Sequence, residues 1–244
     1  MNFFSRIEEL KNKTIKSQTM EWYNIRQKKI SATNISTIIN INKYKQIDEL
    51  LNDKIYGLDK IDNQYTRHGN KFEDIAISIL EKKINSKIEE IGFKISDKYN
   101  FLGATPDGIT VYDNEICLVE IKCPLSRKIS GIPSYNYYTQ IQTQLEVFNL
   151  NKCIFFECNL KEVTKNEYYK MRNFHKNYGY NKNKNIYWKL EESSFNIVPR
   201  DNMFFKYHIN DIKNFYNHLN NKKNIICKEK KRDNYYTNKY VKNF

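Results

Sequence analysis

The chain has 244 residues, which is long enough for one α/β domain with a large core, and no obvious linker divides it. Its 41 Lys and Arg residues outnumber its 28 Asp and Glu residues, and the resulting net charge of +13 favours a polyanionic partner such as nucleic acid. Heavy use of Asn, Lys, Ile and Tyr also fits an AT-rich genome, so codon bias explains part of the lysine excess equally well.

The cysteine pattern and the apolar runs argue against several protein classes. The five cysteines form no C-x-x-C pair, and no histidine lies at zinc-finger spacing, so a structural zinc site is not expected. Three cysteines fall in apolar, strand-like runs, which favours free thiols in a reducing compartment. No apolar run approaches the ~20 residues of a membrane span, and the first residues lack the apolar core of a signal peptide. The sequence therefore predicts a soluble intracellular protein with no membrane partner.

Three short helices are predicted in the first 40 residues. They cover residues 5–16, 19–29 and 30–40. In the second helix Trp22 packs inward, and Arg26 stands one turn beyond it. An ordinary surface charge explains Arg26 nearly as well as a binding role does.

Two hydroxyl groups open the third of these helices. Either Ser31 or Thr33 could cap the helix that the apolar residues Ile35, Ile38 and Ile39 support. Capping is therefore sufficient to explain both hydroxyl groups.

Two longer helices are predicted next. Residues 44–56 and 67–83 repeat apolar side chains at helical intervals, and Gly57 is a natural stop for the first of them. Glu73 lies at the border of the apolar stripe of the second helix, a position that is usually solvated. His68 precedes it, and a lone histidine is more often structural than catalytic.

A β-meander is predicted at the centre of the chain. Strands are expected at residues 100–105, 109–112 and 116–122, with a turn at 113–115 and an earlier strand at 88–94. Because side chains alternate along a strand, charged residues two apart on the last strand share one face.

Three charged residues of this meander suit phosphodiester hydrolysis. Asp107 stands at one bend, and Glu120 and Lys122 share a face of the last strand. Two carboxylates can hold a hard divalent ion through oxygen, and the main-chain carbonyl of Ile121 is a further oxygen ligand. The ammonium group can orient water and offset charge on the phosphate. A common Pro-Asp-Gly turn and an ordinary ion pair explain the same residues separately.

A helix and a strand are predicted after the meander. Residues 135–149 favour a helix on which Gln140 and Gln144 share one side, whereas Gln142 points elsewhere. Residues 152–158 have the composition of a further core strand.

The last third of the chain mixes aromatic and basic residues. Tyrosines and cations alternate through residues 161–185, where they can stack on bases and follow a nucleic acid backbone, although a long polar loop explains them as well. Two late strands are expected at 186–191 and 195–198, and a closing helix at 200–220. From residue 222 the chain turns basic, and a disordered tail with non-specific DNA affinity is one interpretation.

The central motif resembles a known family. Pro106-Asp107 followed by Glu120-Ile121-Lys122 resembles the PD-(D/E)XK nuclease motif. The wider strings LGATPDG and LVEIKCP are similar to lambda-exonuclease-like (YqaJ) viral recombinases. The resemblance runs from Trp22 to Phe156. It implies an α/β fold in which a central mixed β-sheet is flanked by helices, a restriction-endonuclease-like core.

The same resemblance implies roles for further residues. A W-x-x-x-R pattern followed by a Ser/Thr-rich helix start implies that Arg26 and Thr33 bind a terminal 5′-phosphate. The string around Glu73 resembles the family's G-x-x-(aromatic)-E helix, whose glutamate reaches the metal centre, often through water. YYTQIQTQL resembles the Y-x-x-Q-x-Q helix, which implies that Gln140 hydrogen-bonds at the active site.

The resulting prediction is a metal-dependent DNA nuclease. It places one nuclease domain at residues 1–221 and a basic tail at 222–244, with Mg²⁺ as cofactor and Mn²⁺ able to substitute. The expected partner is double-stranded DNA, resected 5′ to 3′ in viral-type recombination or genome processing. The resemblance also suggests a single-strand annealing protein and further copies of the chain as partners, and the host cytoplasm or nucleus as location for a viral protein. The predicted catalytic residues are Asp107, Glu120, Lys122, Glu73 and Gln140; the predicted metal ligands are Asp107, Glu120, Ile121 and Glu73.

Two other classes stay open from the sequence. The same site could serve an endonuclease or an RNA-degrading nuclease. A non-catalytic DNA-binding or annealing module with a degenerate nuclease fold is the other alternative. The intact set of Asp107, Glu120 and Lys122 argues against such decay.

Overall fold

Eight strands and eight α-helices make up the described part of the chain, which covers residues 2–57 and 62–241 of the computed structural model, with side chains described to residue 229. The strands are β1 (Ile30–Ser31), β2 (Lys94–Ile95), β3 (Leu102–Ala104), β4 (Gly108–Tyr112), β5 (Glu115–Lys122), β6 (Lys152–Glu162), β7 (Tyr178–Asn181) and β8 (Ile186–Pro199). The helices are α1 (Phe3–Asn12), α2 (Met20–Lys28), α3 (Ile35–Ile38), α4 (Ile47–Tyr56), α5 (Gln64–Ile84), α6 (Tyr135–Phe148), α7 (Lys165–Met171) and α8 (Phe204–Val241). A 3₁₀ turn (Ala32–Asn34) precedes α3.

The central sheet is mixed, as the sequence predicts. Its strand order is β4-β5-β6-β8-β7; β5 and β6 are parallel, and the other neighbouring strands are antiparallel. Six of the eight residues of β5 are buried, so this strand is covered on both of its faces. Burial on both faces is expected of a strand that lies between two layers of helices.

Helices pack on both faces of the sheet. On one face Phe72 and Ile75 of α5 pack with Val119 of β5. On the other face Leu118 of β5 packs in a cluster with Leu145 of α6 and with residues of α8. Each fully buried side chain of this size contributes about 1.5–3 kcal/mol of hydrophobic stabilisation. The two clusters fix α5 and α6 on opposite sides of β5.

The predicted meander is wrong in one connection. Strand β3 belongs to a smaller sheet of order β1-β3-β2, so that of the three predicted meander strands only β4 and β5 form a hairpin. The hairpin turn contains Asp113 and Asn114, both with positive φ, as a two-residue turn favours. The bend at Asp107 is therefore a crossing between two sheets. Alternation along a strand is visible in the sequence, whereas the choice of partner strand depends on tertiary packing.

The predicted late strand pair is also wrong. Residues 186–191 and 195–198 belong to one strand of 14 residues, β8, which pairs with β6 along its length. The residues between them, Glu192-Ser193-Ser194, include no glycine or proline that would break a strand. These three residues pair regularly with residues 157–159 of β6, and the register shifts only after them, where Glu191 of β8 is left without a partner between Asn159 and Leu160.

The segment at residues 161–185 is structured, so a long polar loop is the wrong interpretation. Strand β6 continues to Glu162, and α7 and β7 follow it. The Thr164 hydroxyl caps α7 by accepting a hydrogen bond from the Glu167 amide at 3.2 Å. Strand β7 then pairs with the first four residues of β8. This segment therefore extends one edge of the central sheet.

Two earlier predictions need correction. Residues 30–40 begin as a short strand and a 3₁₀ turn, and only four residues form α3. The strand expected at residues 88–94 reduces to the two-residue β2, preceded by an isolated bridge between Glu89 and Ile109. The apolar residues of this stretch are buried by the packing around them, and partial alternation does not make them a continuous strand.

The closing helix extends well past its predicted end at residue 220. Helix α8 continues to Val241, and residues 242–244 lie outside the described residues. The sequence after residue 220 has no glycine or proline to stop a helix. The division into a domain at 1–221 and a tail at 222–244 stays a prediction. None of the described helices, including α8, combines the length and apolar character needed to cross a bilayer.

Candidate active site

A buried glutamate lies near the end of β5. Glu120 is fully buried, and its carboxylate accepts hydrogen bonds from three side chains. Lys122 Nζ and Gln140 Nε2 donate to Oε1, the glutamine at 2.7 Å, and Gln144 Nε2 donates to Oε2 at 2.6 Å. A carboxylate removed from water depends on such partners, because burial of an unpaired charge is very costly.

The alternation of β5 sets the direction of these side chains. Glu120 and Lys122 are two residues apart and both face α6, where the Lys122 ammonium lies 5.0 Å from the centre of the Tyr137 ring. Val119 and Ile121 point to the opposite face and pack in the cluster that contains α5. The predicted shared face of the acid and the amine is confirmed.

The helical period sets the glutamines of α6 in the same way. Gln140 and Gln144 are four residues apart, and both donate to Glu120. Gln142 points away and donates instead to the Pro199 carbonyl at 2.9 Å. The predicted sides of the three glutamines are confirmed.

A second carboxylate approaches β5 from the start of β4. Asp107 Oδ2 accepts a hydrogen bond from the Ile121 amide at 2.6 Å, and the Asp107 amide donates to the Val119 carbonyl at 3.1 Å. In an antiparallel pair, the N–H and C=O of one residue face the same neighbouring strand. The Ile121 carbonyl is therefore on the Asp107 side of β5. A carboxylate and a main-chain oxygen thus meet beside Glu120.

The charges of this cluster are poorly balanced. Burial raises the pKa of Asp107 well above its usual range, and the Glu120 carboxylate raises it further, whereas Lys122 acts in the opposite direction. Burial also raises the pKa of Glu73, which interacts with Lys122 and Glu120 through space. Burial alone would lower the pKa of Lys122, but Glu120 and Asp107 outweigh it and hold the pKa above its ordinary value. Three acids therefore face two cations, Lys122 at the centre of the cluster and Lys184 beside Glu73.

This imbalance predicts that Asp107→Asn stabilises the protein in EDTA. The pKa of Asp107 is raised on folding, so stability falls as pH rises from its ordinary value of about 3.9 through the raised value. The asparagine keeps an oxygen for the Ile121 amide and removes the partly buried charge. We expect a gain on the order of 1 kcal/mol at neutral pH, which shifts the Tm of a chain of this size by about 2–4 °C. Thermal melting across pH measures it.

The matched control is Asp113→Asn, because Asp113 is an exposed aspartate in the turn of the same hairpin. We expect this control to melt with the parent protein at every pH. A Tm of Asp107→Asn that is equal to or below the parent value at neutral pH would contradict the proposed charge imbalance.

The donor set of the cluster fits a hard divalent ion. Asp107, Glu120 and the Ile121 carbonyl offer oxygen ligands of the type that Mg²⁺ prefers. Gln144 Oε1 is a buried acceptor with no hydrogen-bond partner among the described residues. Across the described side chains, no three His, Cys, Asp or Glu residues group closely enough to hold an ion by themselves. Main-chain and amide oxygens are therefore needed to complete such a site, with Glu73 as the third carboxylate in electrostatic reach.

Arg26 and Thr33, the predicted phosphate ligands, also lie together. Arg26 Nη2 donates to Thr33 Oγ1 at 3.4 Å, and the guanidinium carbon lies 4.7 Å from the centre of the Trp22 ring. Ser31 opens the 3₁₀ turn, and its amide and hydroxyl both donate to Asn34 Oδ1. Capping therefore explains Ser31. Thr33 is exposed, with its hydroxyl 3.0 Å from that of Ser31, and capping does not explain it.

Hydrogen bonds connect the Arg26 and Thr33 pair to the carboxylates. Trp22 Nε1 donates to Thr105 Oγ1 at 3.3 Å, and Gln144 Nε2 donates to the Thr105 carbonyl at 3.4 Å. Thr105 lies two residues before Asp107, on the crossing between the two sheets. The pair of Arg26 and Thr33 and the carboxylates Asp107 and Glu120 are thus joined through one short segment.

Two further residues lie beside the carboxylates and Lys122, although the sequence motifs do not single them out. Gln144 is one, and its spacing from Gln140 is the signal that indicates it. The other is Glu157 of β6, which is almost fully buried, lies beside Lys122 in the parallel register and pairs with Arg127 at 2.5 Å. A glutamate in a strand carries no sequence signal of the strand that will lie next to it.

Comparisons with known proteins give a family match over half of the chain. The YqaJ-like viral recombinase domain family matches residues 21–151. An uncharacterised protein of Acanthamoeba polyphaga mimivirus is 31% identical over 161 residues, which are 59% of this chain and 29% of that protein. The chain therefore spans under a third of the length of this relative.

Solved structures share the fold. The crystal structure of an alkaline exonuclease (LHK-Exo) from Laribacter hongkongensis aligns with a TM-score of 0.64 and 17% identity, and covers 88% of this chain and 99% of that one. The same exonuclease in complex with dAMP gives a TM-score of 0.61 at 18% identity. A phage-related exonuclease from Haemophilus somnus gives 0.52 at 14% identity, over 85% of this chain and 98% of that one.

Proposed function

We propose that this chain, which belongs to the YqaJ-like viral recombinase domain family, hydrolyses phosphodiester bonds of DNA with the help of a divalent metal ion. The family and the exonuclease folds of similar structures support a nuclease. The observation that carries the proposal is the meeting of Asp107, Glu120 and Lys122 at the end of β5. If the Glu120–Lys122 ion pair served only stability, it would not need the poorly compensated carboxylate of Asp107 beside it.

The acidic residues would hold the metal ion. Asp107, Glu120 and the Ile121 carbonyl would bind Mg²⁺ or Mn²⁺ through oxygen, and Glu73 would add a further carboxylate. Bound there, the ion would supply Lewis-acid polarisation of the scissile phosphate. Gln140 and Gln144 would keep the Glu120 carboxylate in one orientation, because each donates to a different oxygen of it.

Lys122 would act on water and on charge. Its carboxylate neighbours raise its pKa, so it is a cation at neutral pH and donates hydrogen bonds. A protonated lysine suits orienting the attacking water and offsetting negative charge as the phosphate reacts. Removal of a proton from water by the same side chain would require the pKa to fall.

The substrate we propose is linear double-stranded DNA, degraded from the 5′ end during viral-type recombination or genome processing. The Arg26 guanidinium beside an exposed threonine hydroxyl suits a terminal 5′-phosphate, because charge-assisted hydrogen bonds to phosphate are strong. The short connection through Thr105 would fix the distance from that phosphate to the bond that is cut. The similar structures are those of exonucleases, which supports action from an end.

A comparison of substrates tests this function. Purified protein with Mg²⁺ is expected to degrade linear 5′-phosphorylated duplex DNA, and to leave covalently closed circular duplex and RNA intact over the same time. Gel electrophoresis of the three substrates measures the result. Cutting of the circle would instead support an endonuclease, and degradation of the RNA would support a ribonuclease.

A further inference from the structure

We infer that the tyrosine arm, defined as residues 164–189, binds single-stranded DNA beside the active site. This arm consists of α7, β7 and the first residues of β8, and it lies outside the segment that matches the family. The inference rests on the proposed function, because resection of one strand leaves the other strand single. We assign the strand that remains to the surface of the tyrosine arm.

The arm is strongly cationic. It contains seven Lys and Arg residues and a single carboxylate, that of Glu167, which accepts a hydrogen bond from the Tyr178 hydroxyl at 3.2 Å. Two of the cations make ion pairs, Lys184 with Asp74 and Lys189 with Glu191. The other five make no ion pair with any described side chain. The arm therefore has charge complementary to a phosphate backbone.

Aromatic rings lie among these cations. Tyr180 stacks on Tyr187 at a centroid distance of 4.5 Å, and Tyr168 lies 5.0 Å from the same ring. These contacts pack the inner tyrosines of the arm against one another. They leave Tyr180 41% exposed and Tyr169 50% exposed, while Phe174 is 80% exposed.

The most exposed ring of the arm, that of Phe174, lies in a turn that main-chain hydrogen bonds close. The amides of Phe174 and His175 both donate to the Met171 carbonyl at 3.0 Å, so the turn after α7 is closed by the main chain. Arg172 lies in the same turn, with its guanidinium 5.0 Å from the centre of the Tyr169 ring. The ring of Phe174 is therefore open to a ligand.

These features favour a single strand over a duplex. The bases of a duplex are already stacked, so exposed rings add little to its binding, and cations alone would suffice. In a single strand each base has a free face, and stacking on an aromatic side chain contributes about 1–3 kcal/mol per base. Exposed rings and cations without ion pairs in one segment therefore match the chemistry of single-stranded DNA.

The arm is attached to the helix that carries Glu73. Lys184 Nζ donates to the carbonyls of Asn70 and Lys71 at 3.0 and 3.2 Å, and pairs with Asp74 at 2.8 Å. Lys184 also acts on the pKa of Glu73, which it lowers. A strand bound on the arm would therefore lie next to the site that we propose for cleavage.

Equilibrium binding in EDTA tests the inference without any cleavage. Fluorescence anisotropy of labelled oligo(dT) is measured with the full chain, with Phe174→Ala and with a combined Tyr169→Ala, Phe174→Ala, Tyr180→Ala variant. We expect Kd to rise about tenfold for the single change and about a hundredfold or more for the triple change. The Kd for duplex DNA is expected to change by less than about threefold, because duplex binding depends on the cations, which these variants keep.

Controls separate this surface from general effects. Tyr207→Ala removes a tyrosine that is 68% exposed on α8, and it should leave oligo(dT) binding unchanged. Phe174→Ala is the variant least able to disturb folding, and its Tm should equal that of the parent protein. The inference is overturned if Phe174→Ala and the triple variant bind oligo(dT) as tightly as the parent, or if single-stranded and duplex binding weaken equally. Because no cleavage is measured, these results stand apart from any failure of the proposed nuclease activity.

Discussion

Replacing Glu120 by glutamine is expected to lower the rate of DNA cleavage by at least about a thousandfold, the upper end of the loss seen when one preorganised catalytic group is removed. The change keeps the shape of the side chain and removes the charge that would bind the ion. Lys122→Ala should cause a similar loss, because no other described ammonium group contacts Glu120. Cleavage of linear duplex under single-turnover conditions measures both effects.

The control for these variants lies on the same strand. Glu115 opens β5 and pairs with Lys152 at 2.7 Å, far along the strand from Glu120. Glu115→Gln should cleave at the parental rate. Glu120→Gln and Lys122→Ala should retain folded circular dichroism spectra and most of their affinity for duplex DNA. Parental activity in either variant would refute the catalytic assignment.

Replacing Arg26 by alanine is expected to slow degradation of 5′-phosphorylated duplex by about 10- to 100-fold, since a charge-assisted hydrogen bond contributes roughly 1.5–3 kcal/mol. On the same duplex with a 5′-hydroxyl, the parent protein and the variant should act at similar rates. Without a terminal phosphate, neither protein can make the contact between Arg26 and that phosphate. Initial rates on the two duplexes measure the difference.

Lys28→Ala is the matched control for Arg26→Ala. Lys28 is exposed in the last turn of the same helix, α2. It should discriminate between the two duplex ends as the parent does. An equal loss in Arg26→Ala on phosphorylated and unphosphorylated ends would contradict a 5′-phosphate site at Arg26 and Thr33.

Local periodicity predicted the parts of the site that depend on one element. The alternation of β5 gave the shared face of Glu120 and Lys122, and the helical period of α6 gave the shared side of Gln140 and Gln144. These predictions succeeded because strand and helix periods fix side-chain direction regardless of the rest of the chain.

Features that depend on partner choice could not be predicted in the same way. The alternation at residues 102–104 indicates a strand, yet nothing in it says that β3 pairs with β1 and β2. The burial of Glu157 beside Lys122 depends on the parallel register of β5 and β6, which joins residues 35 positions apart. The order of the tyrosine arm depends on the pairing of β7 with β8. Such pairings are decided by tertiary packing.

The central claim is that the end of β5 is a metal-dependent phosphodiesterase site. Its most direct test is digestion of end-labelled linear duplex DNA by the parent protein with Mg²⁺, by the same protein in EDTA, and by Lys122→Ala with Mg²⁺. We predict loss of the label with the parent protein and Mg²⁺, and intact duplex in the other two reactions. Degradation at the parental rate in EDTA or by Lys122→Ala would contradict the claim.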